Sequence, residues 1–207
     1  MEIVWHGYSC LTVKSKGATT VIDPYTDGKG IKLPSLKGDI VIVSGNYEGH
    51  DNIKAVSGEP TVVDWPGEYE MKGVAVMAQQ IPGSKGMLFT LIADNMKLCF
   101  IGNMSAEITE EMVEAIGDVD ILLLPVGGGE TADAKTAHNL VEEIEPRAIL
   151  AIHYAVDGSK AKLDGPEAFL KLVGATSTEP KDKLSIQSRN ELKQDATEVI
   201  LLKPQLG

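Results

Sequence analysis

The order of elements predicts an α/β protein (α+β by some schemes), with a sheet-rich core and helices outside it. Three observations carry this. Short apolar and β-branched runs separated by turns fill the first half. The second half alternates helical spacing with fully apolar runs. The tail then returns to strand-like sequence.

Taken in order, Ile3-Val4-Trp5, Cys10 to Val13 and Thr19 to Ile22 read as strands, the last two joined by a turn at Ser15-Lys16-Gly17. Asp39 to Val43 is apolar after its first residue, as a strand buried on both faces should be. Strands follow at Thr61 to Asp64 and Gly73 to Gln79. Leu88 to Ala93 and Leu98 to Ile101 flank a hairpin turn at Asp94-Asn95. Ile108, Met112, Val113 and Ile116 share one helical face, with Ser105 as candidate N-cap and Gly117 as the stop. Ile121 to Val126 is a buried strand, Asp133 to Glu143 an amphipathic helix ending before Pro146, and Ala148 to His153 another buried strand. Pro166 to Val173 reads as a third helix, and Lys183 to Ser188 and Thr197 to Leu202 as strands. Gly30 to Gly38 and Ala155 to Gly165 read as surface loops. No repeat or linker divides the chain, so one domain over residues 1–207 is expected.

The composition excludes several function classes. Hydrophobic residues make up 43% of the 207 and charged residues 24%, which is ordinary globular composition. The net charge of −11 argues against a nucleic-acid partner and against a polybasic membrane surface. Two cysteines, Cys10 and Cys99, lie in apolar runs and read as core residues, not as a disulfide framework. The start shows no secretory pattern and no apolar run spans a bilayer, so a cytoplasmic location is expected.

Chemistry in layered α/β proteins gathers in the loops that follow strand ends. Five such loops stand out: Asp23-Pro24, Ser44 to Asp51, Gly102-Asn103, Pro125 to Gly129, and His153-Tyr154. Asp23 before Pro24 reads as a turn starter. Gly127-Gly128-Gly129 lacks the lysine of a phosphate loop and reads as a tight turn. Glu68 and Tyr69 read as part of a structural turn after Pro66-Gly67, with residues facing a pocket as the alternative. His6 reads as a surface residue, and His138 as structural, within a helix.

Several segments, in this order, resemble the metallo-β-lactamase superfamily, and in particular its compact bacterial branch described as zinc-dependent hydrolases. They are Trp5-His6-Gly7-Tyr8-Ser9-Cys10, Val21-Ile22-Asp23-Pro24, Pro66-Gly67-Glu68-Tyr69-Glu70, Gly117-Asp118-Val119-Asp120 with Leu122 to Gly128, and Ile152-His153-Tyr154. The resemblance implies an αββα four-layer sandwich with a metal site at one edge of the sheets. It also implies a ligand run His-x-His-x-Asp-His, which falls on Gly45, Tyr47, Gly49 and His50. The family's next histidine falls on Phe100, its bridging aspartate on Asn103 and its last histidine on His153. Two of the seven positions keep their residue. The early Gly-His motif reads Gly7-Tyr8.

Glycine and phenylalanine carry no side-chain donor, so a dinuclear site is not expected. Zinc usually takes three or four N, S or O ligands. His50 and His153 are therefore candidate ligands of at most one weak zinc or other divalent site, with Asp51, Asn103 or Asp23 as the third ligand; no cofactor is the main expectation. The same two histidines with Asn103 are candidate catalytic groups, because imidazole titrates near neutral pH. Alternatively they are polar remnants in a cleft. Tyr8, Tyr47 and Phe100 are expected to put aromatic bulk where family members have polar or liganding groups, filling the former metal cavity or making an apolar pocket. Three functions follow. The first is a metal-poor protein binding a small molecule or protein partner in the old cleft. The second is a hydrolase with a remodelled site. The third is a structural protein working as a homo-oligomer.

Overall fold

Alternation of apolar residues decides which way each strand faces. In a computed structural model, the described residues are all except 29, 46–48, 50, 103–107 and 195. The first half forms β1 (Glu2–Trp5), β2 (Leu11–Lys14), β3 (Thr19–Ile22), β4 (Leu36–Lys37), β5 (Ile40–Ile42), β6 (Val56–Ser57) and β7 (Thr61–Val63). Next come β8 (Gly67–Met71), β9 (Val74–Gln80), β10 (Met87–Ala93) and β11 (Met96–Ile101). Then α1 (Glu110–Ile116), β12 (Ile121–Pro125), α2 (Ala134–Ile144), β13 (Ala148–Ile152) and α3 (Glu167–Leu172) alternate, before β14 (Leu184–Ser185) and β15 (Glu198–Ile200).

One sheet has the order β14-β1-β2-β3-β5-β7 and the other β15-β13-β12-β11-β10-β9-β8, while β4 and β6 pair by themselves. Ile40 and Ile42 of β5 join Ile3, Trp5, Leu11 and Val13 in the core shared with the second sheet. Val41 between them points the other way, into a separate cluster with Val21, Tyr25, Ile31, Leu33 and Leu36. The two sheets thus pack face to face as an α/β sandwich. No helix among the described residues is long and apolar enough to cross a membrane.

The outer layers differ. Helices α1 and α2 are the crossovers between the parallel strands β11, β12 and β13, and both β12 and β13 are buried throughout. Ala137, Leu140 and Ile144 form the buried stripe of α2, whose Asp133 cap accepts the Thr136 N–H at 2.8 Å. Thr109 caps α1, in place of the expected Ser105, which lies outside the described residues; Gly117 ends it at φ +58°. Over the first sheet, the described covering layer is irregular chain, the short 3-10 turn Ile53–Ala55 and the β4–β6 pair. The expected surface loop at Gly30 to Gly38 is in fact part of this layer, since it buries Ile31, Leu33 and Leu36. The expected turn at Glu68 and Tyr69 is instead the edge strand β8. Asp94 and Asn95, both at positive φ, make the two-residue hairpin turn between β10 and β11.

At the strand-start edge, buried Asp120 gathers both arginines of the chain. Arg189 Nε donates to its Oδ1 at 2.5 Å, Arg147 Nε stands 3.4 Å away, and the Lys97 N–H donates to Oδ2 at 2.9 Å. These contacts tie the tail and the β13 entry to β12. In the middle of the sheet, Phe100 lies within β11, fully buried, opposite Phe89 and Leu123. Its ring stacks on Phe89 with centroids 6.4 Å apart. The strand continues through Ile101, and the Phe100 ring is part of the core.

Removing that ring leaves a cavity between close-packed sheets. Phe100→Ala is expected to lower stability by about 3–5 kcal/mol in urea unfolding. A loss below about 1 kcal/mol would contradict the core assignment.

Candidate active-site edge

The parallel pairs β3–β5 and β11–β12–β13 place five strand ends along one edge of the sandwich. The loops after these strands carry Asp23, Ser44, Gly102, Gly127 and His153. Ser44 joins the sheets. Its N–H and Oγ–H donate to the Asp23 carboxylate at 2.7 and 2.5 Å, and its carbonyl accepts the Met87 N–H of the second sheet at 2.7 Å. Gly102 lies so close that a Cβ there would stand 2.5 Å from the Ser44 Cβ. The adjacent Gly45 forms a backbone bridge to Gly86.

The other half of the edge is built around the β1–β2 connection. The Tyr8 carbonyl accepts from Trp5 Nε1 at 2.8 Å and from the His153 N–H at 3.0 Å. Ser9 Oγ and His153 Nδ1 are 2.7 Å apart, and both residues are buried. The Tyr8 ring meets Tyr25 edge-on at 5.1 Å and faces His153 at 5.9 Å. Gly127 allows the approach, because a Cβ there would stand 2.3 Å from the His153 carbonyl oxygen. Tyr8, Asp23 and His153 hold positive φ of 47°, 42° and 52° without being glycine. Such strain gathers where surrounding contacts over-determine the chain, often at functional sites.

Two clefts open here. One of about 440 Å³ is lined by Tyr8, Gly129, Glu130, His153, Lys160 and Lys162. The other, of about 370 Å³, is lined by Gly45, Asp51, Asp64, Lys85 and the exposed Trp65. Of the candidate residues, the structure thus brings Tyr8 and His153 together but gives Asp51 and Gly45 to the second cleft. A Cβ at Gly49 would meet nothing within 4 Å among the described residues. His50, Asn103 and Tyr47 lie outside the described residues.

Among the described residues, Asp23, His6 and His138 are each engaged by protein partners. Asp23 is sealed from solvent with both oxygens engaged by Ser44, so it is a clamp between loops and not the expected turn starter or third ligand. His6, expected at the surface, is buried; its Nδ1 and Nε2 lie 3.0 Å from the Gln205 carbonyl and 2.9 Å from Thr12 Oγ1. His138 pairs with Glu142 within α2. Among the described residues no three His, Cys, Asp or Glu side chains come together as a metal-binding group. Sequence reasoning missed Ser9, Ser44, Lys160 and Lys162. Ser9 lies within a recognised motif and Ser44 opens a recognised loop, whereas the lysines carry no local signal.

Burial raises the Asp23 pKa from its ordinary 3.8 to about 7, against the two Ser44 hydrogen bonds that lower it. The folded chain then keeps a proton that the unfolded chain releases near pH 4. The stability this proton contributes is full below pH 4 and is lost as pH rises through 7. Asp23→Asn, neutral throughout, is expected to flatten the fall in unfolding free energy between pH 5 and 8; an unchanged slope would contradict the assignment. Gly127→Ala is expected to destabilise by about 1–3 kcal/mol and to shift the His153 and Tyr154 amide resonances, because its methyl group has nowhere to go.

The profile of the β-lactamase superfamily domain matches residues 2–153. A UPF0173 protein of Pyrococcus abyssi is 28% identical over 183 residues, covering 76% of this chain and 85% of that protein. A UPF0173 metal-dependent hydrolase of Thermoplasma acidophilum is 25% identical, covering 86% and 93%. A Thermotoga maritima crystal structure, provisionally described as a Zn-dependent hydrolase of the metallo-β-lactamase superfamily, superposes with TM-score 0.80 at 28% identity over 98% of this chain and all of that one. With sheets, strand-end edge and sequence match in agreement, the chain belongs to the metallo-β-lactamase superfamily.

Proposed function

We propose that this chain is a metal-poor member of its superfamily that binds a small organic molecule in the Tyr8–His153 cleft. The observation that carries the reading is the use made of the ligand positions. Phe100 is spent on the core and Gly45 on a backbone bridge, so neither position offers a side-chain donor. A protein interior tolerates such replacements only where the replacing side chains pack or bond well. The cleft of about 440 Å³ falls in the range of small-molecule sites.

A second reading, a hydrolase with one remodelled metal site at His50 and His153, draws support from relatives named metal-dependent hydrolases. Elemental analysis of untagged protein purified without chelator separates the two. Metal far below one equivalent in well-folded protein is expected. Near one equivalent, lost in the His50→Ala/His153→Ala double variant, would overturn the metal-poor reading.

A further inference from the structure

We infer that the Tyr8–His153 cleft selects a small organic anion, a carboxylate or phosphate ester on an apolar body, with Lys160 and Lys162 binding its charged end. The inference rests on the reading of that cleft as a ligand site and names the ligand's chemistry. Both lysines line the cleft. Among the described residues, neither has a carboxylate within 4.0 Å, as holds for most of the chain's lysines, so what sets these two apart is their shared place on one cleft wall. The whole chain carries −11, so two unpaired cations on one cleft wall run against its average. Glu130 is the carboxylate on the same lining, which leaves the lysines in excess.

The backbone that carries these lysines is fixed before any ligand arrives. The Asp164 N–H donates to the Gly127 carbonyl at 2.9 Å, and the Ala155 N–H to the Asp164 carbonyl at 2.9 Å. Ser159 Oγ lies 3.0 Å from the Tyr8 hydroxyl and accepts the Ala161 N–H at 3.1 Å. Gly30 packs where a Cβ would collide with the Gly158 carbonyl and the Lys160 nitrogen. The loop over residues 155–164 is thus tied to the β12 end, to the β1–β2 connection and to the first sheet's covering layer. Ordered backbone lowers the entropy cost of aiming two flexible lysine stems at one anion. Beside them, Gly129 at φ +72°, where a Cβ would lie 3.6 Å from the Lys162 carbonyl oxygen, contributes bare backbone, and no acceptor among the described residues takes its N–H. The Tyr8 ring, Ala161 and Leu163 supply the apolar wall that the ligand's body would cover.

Amide chemical-shift titrations of the metal-free protein test this with three probes: benzoate, its neutral analogue benzyl alcohol, and inorganic phosphate. Benzoate is expected to move the amides of Gly129 and residues 160–163 and to bind roughly tenfold tighter than benzyl alcohol. Added salt should weaken benzoate binding. Lys160→Gln/Lys162→Gln should abolish the preference, while Lys14→Gln, on β2, should leave it. Phosphate binding as tightly as benzoate would assign the selectivity to the charged group alone, and weaker phosphate binding would assign it to charge and apolar body together; both support the anion site. Equal binding of benzoate and benzyl alcohol, unaffected by the double variant, would overturn the anion assignment while leaving the cleft a ligand site. Binding of any probe only after added zinc would overturn the metal-poor reading itself.

Discussion

Ser44 is the point on which the edge geometry depends. It stands at the end of a three-residue strand buried on both faces, so its position is set by the packing of Ile40, Val41 and Ile42. From there it holds Asp23 of its own sheet through two hydrogen bonds and Met87 of the other sheet through its carbonyl. Face-to-face sheets have no hydrogen bonds across their apolar interface, so their relative slide is decided by side-chain packing and by stitches at the rim. Gly102 accepts this closeness because it brings no side chain of its own. A residue with a Cβ there would push the second sheet's strand end away from Ser44.

The opposite rim works by charge. Asp120 draws Arg147 and Arg189 to the start of β12, so the segment after β14 and the entry to β13 are held at the end far from the clefts. With one rim held by this ionic cluster and the other by Ser44, the strand ends at the cleft edge tolerate backbone strain. Tyr8, Asp23 and His153 keep positive φ because each is fixed by at least one buried hydrogen bond or aromatic contact. The cleft on the Tyr8 side follows from that strain: the turn at Tyr8 aims its ring between Tyr25 and His153, and the loop over residues 155–164 closes the far wall.

Much of the fold was legible because its signals are local. Apolar runs such as Ile121 to Leu124 and Ala148 to Ile152 state their own burial, and the Asp94-Asn95 turn states its own geometry. Strand β8 was not legible: Gly67, Glu68 and Glu70 are poor strand formers, and only pairing with β9 holds them extended. His6 gave no sign of burial either, since the groups that satisfy it include a carbonyl 199 residues away.

The sequence by itself determined the layered architecture and the superfamily motifs, because residue identity and periodicity are properties of short segments. The tertiary structure alone decided where particular residues went. Phe100 packed into the core within β11, Asp23 became a buried clamp because Ser44 reached it, and Asp51 and His153 came to line different clefts. Lys160 and Lys162 gained their place beside His153 in the same way. Their loop follows His153 in the chain, but it becomes a cleft wall only through bonds to Tyr8 and Gly127, contacts that no local pattern encodes.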